Sequence, residues 1–234
     1  MQLNSLPISV TTWQLTRNSA ARISATVLWC SAILFLPTRL NHFAKAFRHM
    51  AHPGPWANEY TPAGSTGRFF DDYVNWNRIT PFAEVGMRGS VPEAALGLMG
   101  TQTARLFHEH VLVKEAETKE VTPWHHDDPY YGIDGMDNVS IWIPLDPIPD
   151  SVALCFIAGS HKWNKRFIPK RFKDQTAYVE AAHDFVHLPS IDELNAHQVI
   201  TTPVQLGDAV AFHYRTLHAA PGTAGTGVQL RRAV

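Results

Sequence analysis

The sequence predicts a mainly β domain, an antiparallel sandwich or barrel with flanking helices. Three observations carry that expectation. From Ala104 onward, apolar residues recur with period two rather than 3.6. The period-two stretches are short and are separated by turns bearing Gly and Pro. The clearest helical patterning comes before them.

The elements follow in order. Leu40, Phe43, Phe47 and Met50 fall at helical spacing and predict a short amphipathic helix over 40–51, stopped by His52-Pro53-Gly54-Pro55. Ala63 to Gly67 is a turn-rich loop. Ser90-Val91-Pro92-Glu93 has the form of a capping box and opens a helix through Met99. The first strand is expected over Ala104–Lys114. Val111 and Val113 share one face there, while His108, His110, Leu112 and Lys114 share the other. Further strands are expected over Val139–Leu145, Val152–Ile157, Ala209–Tyr214 and Leu230–Val234. Between Trp163 and Gln198 the pattern is mixed and charged, and reads as a long excursion with some helix over one mouth of the barrel.

Composition narrows the function. Hydrophobic residues make up 45% and charged residues 18% of the 234, which suits a folded globular chain. Lys+Arg (20) balances Asp+Glu (21), so no basic excess exists to hold a phosphate backbone and nucleic acid is not an expected partner. Thirteen histidines point to a metal site. Cys30 and Cys155 are too few and too distant to frame a disulfide scaffold, which suits a reducing, cytoplasmic setting, and Cys155 reads as an inert buried thiol. The apolar run Ile23–Leu36 is shorter than the ~20 residues that span a bilayer, so no stable membrane insertion is expected.

The densest chemical signal is Thr122-Pro123-Trp124-His125-His126-Asp127-Asp128. In an extended segment His125 and Asp127 project to one face and His126 to the other. One imidazole and one carboxylate on a shared face are two-thirds of the two-His, one-carboxylate triad that leaves half of an Fe(II) coordination sphere open. The third ligand must come from a distant strand. His218 is the first choice and His213, five residues before it, is the rival.

With these residues in hand, the stretch from about Pro53 to Val234 resembles the phytanoyl-CoA dioxygenase family. The resemblance rests on Trp124 to Asp127, Trp142 to Asp146, Gly159-Ser160-His161, and Gly207-Asp208 running on through Leu217 to Gly222. It implies a double-stranded β-helix (jelly roll) and iron ligands at His125, Asp127 and His218. It also implies Fe(II) as cofactor, 2-oxoglutarate and O2 as co-substrates, and hydroxylation of a small molecule with release of succinate and CO2. The family's arginine for the far carboxylate of 2-oxoglutarate falls on Arg231, and a planar guanidinium fork suits that task. Its pocket tryptophan falls on Trp142. Asp127 sets the chain apart from halogenases, in which a small residue replaces the carboxylate. Members run on past the position of Val234, so the resemblance implies a domain over 40–234 cut at its C-terminal edge. The first 39 residues stand outside it.

Other residues have two readings. Lys114 meets a substrate or co-substrate carboxylate, or it snorkels to water. Trp142 lines the pocket or simply packs. Tyr130 and Tyr131 follow the ligand strand and are candidates to touch substrate. His108 and His110 sit in a substrate pocket or are satisfied core residues, and His161 holds loops through hydrogen bonds. Arg232, beside Arg231, faces solvent. Two other functions fit the same fold: a jelly-roll metalloenzyme that needs no keto acid, such as a cupin-type isomerase, and a non-catalytic binding protein. The chain is expected to work as a monomer or homodimer.

Overall fold

The computed structural model describes residues 54–174, 176–178 and 184–234, with the backbone of 28–30. The helix expected over 40–51, its stop at His52-Pro53, and nearly all of the first 39 residues lie outside the described residues. Of the apolar run 23–36, only the strand β1 (Leu28–Cys30) is described.

Two antiparallel layers form the body. In one, β2 (Asn58–Glu59), β3 (Phe69–Tyr73), β4 (His110–Glu115) and β13 (Leu230–Ala233) run in the order β13-β4-β3-β2. A second group, β1-β11-β6, contains β6 (Ser140–Trp142) and β11 (Ala209–Phe212). The two join where the chain runs on from β6: Pro144 bridges Ala233, and Ile143 and Val234 exchange backbone hydrogen bonds of 2.8 and 3.0 Å. β13 is therefore bonded on both sides. The opposing layer contains β5 (Thr122–His125), β7 (Leu154–Ile157), β10 (Val199–Thr202) and β12 (His218–Ala220), in the order β10-β7-β12-β5. This is the double-stranded β-helix.

Strand alternation explains why two cores exist. On the inner face Trp142, Val210, Phe212 and Ala233 meet Leu154, Phe156 and Ala220 of the opposing layer. On the outer face Val111, Val113, Ile143 and Leu145 pack against Ile79, Phe82 and Val85. These come from or adjoin α1 (Thr80–Met87), whose start is favoured by Pro81 in its first turn. Burying each such side chain contributes roughly 1.5–3 kcal/mol.

Some expected boundaries move. The strand predicted from Ala104 begins at His110, and residues 104–109 carry no strand. The helix α2 spans Ser90–Met99 as expected, but its N-cap is Gly89 and Ser90 is already helical. A full capping box instead opens α3 (Ile191–Asn195), where Ser190 and Glu193 cap each other. The excursion holds this helix and a parallel pair, β8 (Arg166–Phe167) and β9 (Phe185–Val186). Cys155 is half-buried rather than buried, because it alternates with the core residues Leu154 and Phe156.

Candidate metal centre

β5 and β12 are hydrogen-bonded neighbours, and the register sets His125 opposite His218. Asp127 lies just past the end of β5, with its backbone N–H donating to the Tyr214 carbonyl (2.7 Å). One ligand atom from each of the three residues lies within 4.8 Å of the other two. The Nε2 atoms of His125 and His218 each stand 3.7 Å from Asp127 Oδ1. Cis ligands bound at ~2.1 Å to one first-row ion are roughly 3 Å apart, so the donor set fits such an ion after a small contraction.

The tautomers are fixed from behind. His125 Nδ1 lies 2.7 Å from the Pro123 carbonyl and His218 Nδ1 2.9 Å from the Thr216 carbonyl. A carbonyl only accepts, so each Nδ1 carries the proton and each Nε2 turns a lone pair to the shared point. Burial, then the nearby His218, pushes His125 well below the usual histidine range and keeps it in the neutral, ligating form. Burial raises the Asp127 carboxyl, although His218 and His110 oppose this. Its Oδ2 accepts a hydrogen bond from Ser140 (3.2 Å), and the Tyr131 hydroxyl also donates to it.

His126 points the other way, as the alternation requires. It is buried and its Nε2 accepts from the Phe167 N–H (2.9 Å). His213 is outside the centre: its Nε2 faces the Met136 carbonyl (3.2 Å) and the Asn138 amide (3.3 Å). The Gly159-Ser160-His161 turn holds the distal ligand through Ser160, not His161. Ser160 Oγ donates to Ile157 O (2.9 Å) and accepts from Leu217 N–H (2.8 Å), beside His218. His161 rests on the His213 ring and has a buried nitrogen without a partner.

A second feature lies on the inner face of β4 and β13, where Lys114 stands opposite Arg231. Lys114 is fully buried and donates to the carbonyls of Pro221 (3.0 Å) and Ala220 (3.4 Å). Arg231 is 2% exposed, its guanidinium lies over the Trp142 ring at 5.3 Å, and Nε and Nη2 have no partner. Burial lowers its pKa to about 10, and burial followed by Arg231 lowers that of Lys114. A buried guanidinium with orphaned N–H groups beside a buried ammonium is costly unless an anion joins them. A dicarboxylate is such an anion, so this feature fits 2-oxoglutarate. Arg232 faces outward and forks onto Asp146 (2.7 and 2.9 Å), which pins the strand that carries Arg231.

Sequence reasoning missed much of the surroundings. Phe172 of the excursion packs edge-on to His125 (4.9 Å), and Phe212 lies 4.9 Å from His218. Asp128 is fully buried and gathers Arg166 Nε (2.5 Å) and Arg215 Nε (3.1 Å), which ties the ligand turn to the excursion. The Asp127-Asp128 pair was a visible signal for this, since adjacent acids at a turn seldom serve the same ion. Tyr130 is exposed and bonds the Lys170 backbone, whereas Tyr131 turns inward.

A jelly roll that brings two histidines and a carboxylate to one point, beside a buried cationic pair, defines a non-haem iron oxygenase type of site. The phytanoyl-CoA dioxygenase family model matches residues 78–233, and the chain belongs to that family. Membership brings the family's iron, 2-oxoglutarate and O2. No curated protein matches the sequence. Among solved structures, the epimerase SnoN in complex with Fe3+, alpha ketoglutarate and nogalamycin RO is similar. It shows 17% identity and TM-score 0.71 over 92% of this chain and 80% of that one. The non-heme alpha ketoglutarate dependent carbocyclase SnoK matches at 16% identity and TM-score 0.70, over 94% and 83%. EvdO2 from Micromonospora carbonacea var. aurantiaca, complexed with 2-oxoglutarate, matches at 16% and 0.63, over 97% and 91%. At these identities the likeness speaks for the fold. No helix among the described residues is long and apolar enough to cross a membrane.

Proposed function

We propose that this chain is a non-haem Fe(II)- and 2-oxoglutarate-dependent oxygenase that hydroxylates a small organic substrate. The reading rests on one observation above others: the buried cations Lys114 and Arg231, the latter with two N–H groups unpaired, lie in the same barrel as the His125–Asp127–His218 cluster. A jelly-roll metalloenzyme that needs no keto acid has no use for that cationic pair. A binding protein on this fold has no use for three converging ligands.

In this reading His125, Asp127 and His218 hold the iron on one face. Arg231 forks onto the far carboxylate of 2-oxoglutarate, and Lys114 adds a second positive charge. Trp142 supports the guanidinium from below. When bound, iron with 2-oxoglutarate and O2 supplies the power to hydroxylate a C–H bond, with succinate and CO2 released. The Pro123 and Thr216 carbonyls keep both imidazoles in the ligating tautomer. Phe156, Phe172 and Phe212 flank the ligand rings and exclude water. A carboxylate at 127 completes the ligand set and so favours hydroxylation over halogenation. The balanced net charge of −1 argues against nucleic acid as a partner, and the reading is of a cytoplasmic enzyme, monomer or homodimer.

The test is anaerobic titration of the purified protein with Fe(II) and 2-oxoglutarate. The expected result is the weak visible charge-transfer band of the chelated keto acid, absent in His125→Ala and His218→Ala. A wild-type protein that binds iron without forming the band overturns the reading.

A further inference from the structure

The inner face of the β2-β3-β4-β13 sheet is organised in rows. Phe69, Lys114 and Arg231 form one row, Asp71 and Leu112 the next, and Tyr73 and His110 the third. At ~3.4 Å per residue, the third row is about 14 Å along β4 from Lys114. A five-carbon diacid held by Arg231 does not reach it. It lies beside the triad instead: His110 stacks on Tyr73, His108 links Tyr73 to Tyr131, and the Tyr131 hydroxyl bonds Asp127.

This third row, with Asp71 of the row beside it, is built as a site. Asp71 is fully buried and accepts from His110 Nε2 (2.9 Å), Tyr60 OH (2.5 Å) and both nitrogens of Asn58 (3.2 and 2.9 Å). Burial pushes its carboxyl up, but the His110, Tyr60 and Asn58 donors outweigh that and hold it below its ordinary value. His110 is stacked on Tyr73 at 3.9 Å, so its ring is fixed in both tilt and rotation. With Nε2 committed to Asp71, Nδ1 is the atom left for a ligand. His108 closes the wall against Tyr73 and Tyr131.

Tyr73 also lines an open cavity of about 470 Å³, together with Pro55, Trp56, Ala57, Asn58 and Val74. None of these carries a charge. Arg78, beside Gly54 at its edge, is committed to Asp72 (2.8 Å). Trp56 is 63% exposed on the rim. Val74 holds φ 57, a left-handed conformation that a β-branched residue adopts only under strain, and such strain gathers at ligand sites. With no cation on its wall, the cavity offers nothing to pair with a phosphate or other anion. Its aromatic walls, Trp56 and Tyr73, with the His110 imidazole stacked on Tyr73, suit a flat, neutral, hydroxyl-bearing molecule.

We infer that His110, positioned by Asp71, hydrogen-bonds the primary substrate, and that this substrate is an uncharged hydroxylated ring rather than a coenzyme A thioester or a phosphate ester. The inference rests on the oxygenase reading above and names its substrate class. The probes are phenyl β-D-glucopyranoside for a glycosyl ring, naringenin for a phenolic ring, and decanoyl-CoA for an anionic thioester.

Each probe is titrated anaerobically into protein loaded with Fe(II) and 2-oxoglutarate, and binding is followed by the charge-transfer band and by saturation-transfer NMR. A neutral probe binds saturably, decanoyl-CoA does not, and whichever neutral probe binds names the ring type. His110→Ala weakens that binding about tenfold, the loss of one good hydrogen bond, while 2-oxoglutarate affinity is unchanged. Trp56→Ala, an exposed and fold-safe change, weakens it severalfold. Asp71→Asn weakens it as well, and His110→Asn, which keeps a hydrogen-bonding group, recovers part of the loss. The inference is overturned if decanoyl-CoA is preferred, if neither neutral probe binds, or if His110→Ala titrates like wild type. Absence of the band in wild type before any probe is added overturns the oxygenase reading itself, and this inference with it.

Discussion

Replacing Arg231 by Met should produce two effects of opposite sign. Its guanidinium is 2% exposed, and two of its nitrogens have no partner. Burial lowers its pKa from the ordinary arginine range to about 10, which at ~1.4 kcal/mol per pKa unit is a burial cost on the order of 3 kcal/mol. Methionine fills a similar volume without that charge, so the ligand-free protein should gain roughly 1–4 kcal/mol. The same change removes a charge-assisted fork worth about 3–5 kcal/mol to a bound carboxylate. The 2-oxoglutarate Kd should therefore rise by roughly a hundredfold to a thousandfold or more. Urea unfolding of the metal-free protein reads the first effect, and the anaerobic charge-transfer titration reads the second. A variant that loses stability while binding 2-oxoglutarate normally would show that Arg231 is a structural residue and would refute the reasoning.

Other perturbations follow from the same contacts. Asp128→Asn removes the charge that Arg166 and Arg215 share and leaves both near a buried amide, so it should cost about 3 kcal/mol, read as a drop in Tm. His126 is buried and neutral, with its pKa lowered to about 4 from 6.5. The unfolded chain binds more protons in that interval, so this residue's contribution to stability is complete above pH 6.5 and lost as pH falls toward 4. Denaturation between pH 4 and 7 should show that slope, and His126→Gln should reduce it in part, because His108 and His213, also lowered to about 4, still contribute. Gly222→Ala would set a Cβ 2.4 Å from the Thr118 carbonyl, against backbone that cannot move aside cheaply. It should cost roughly 1–3 kcal/mol and displace the turn whose Pro221 carbonyl accepts from Lys114, again read by unfolding.

What could be read from the sequence was set by local periodicity. The period of two placed Val111 and Val113 against helices and Lys114 on the inner face, because side-chain direction along a strand depends only on parity. The same parity separated His126 from His125 and Asp127, and Trp142 from Ile141 and Ile143. The choice of His218 over His213 lay beyond spacing, since it depends on β12 pairing with β5. The resemblance supplied it, and the register puts His218 opposite His125. The Asp71–His110 pair was invisible for the same reason: the two join only because β3 lies beside β4. Boundaries failed where a side chain outside the pattern decided them. Glu109 turns back to cap the backbone of Asn75 and Trp76, and with residues 104–108 it stays out of the strand.

The most direct test of the whole account is anomalous diffraction at the iron absorption edge from crystals grown anaerobically with Fe(II) and 2-oxoglutarate. It should give a single peak at bonding distance, ~2.1 Å, from His125 Nε2, His218 Nε2 and an Asp127 oxygen. The co-substrate should run from that peak to Arg231. A peak held by other residues, or a keto acid bound away from Arg231, would contradict it.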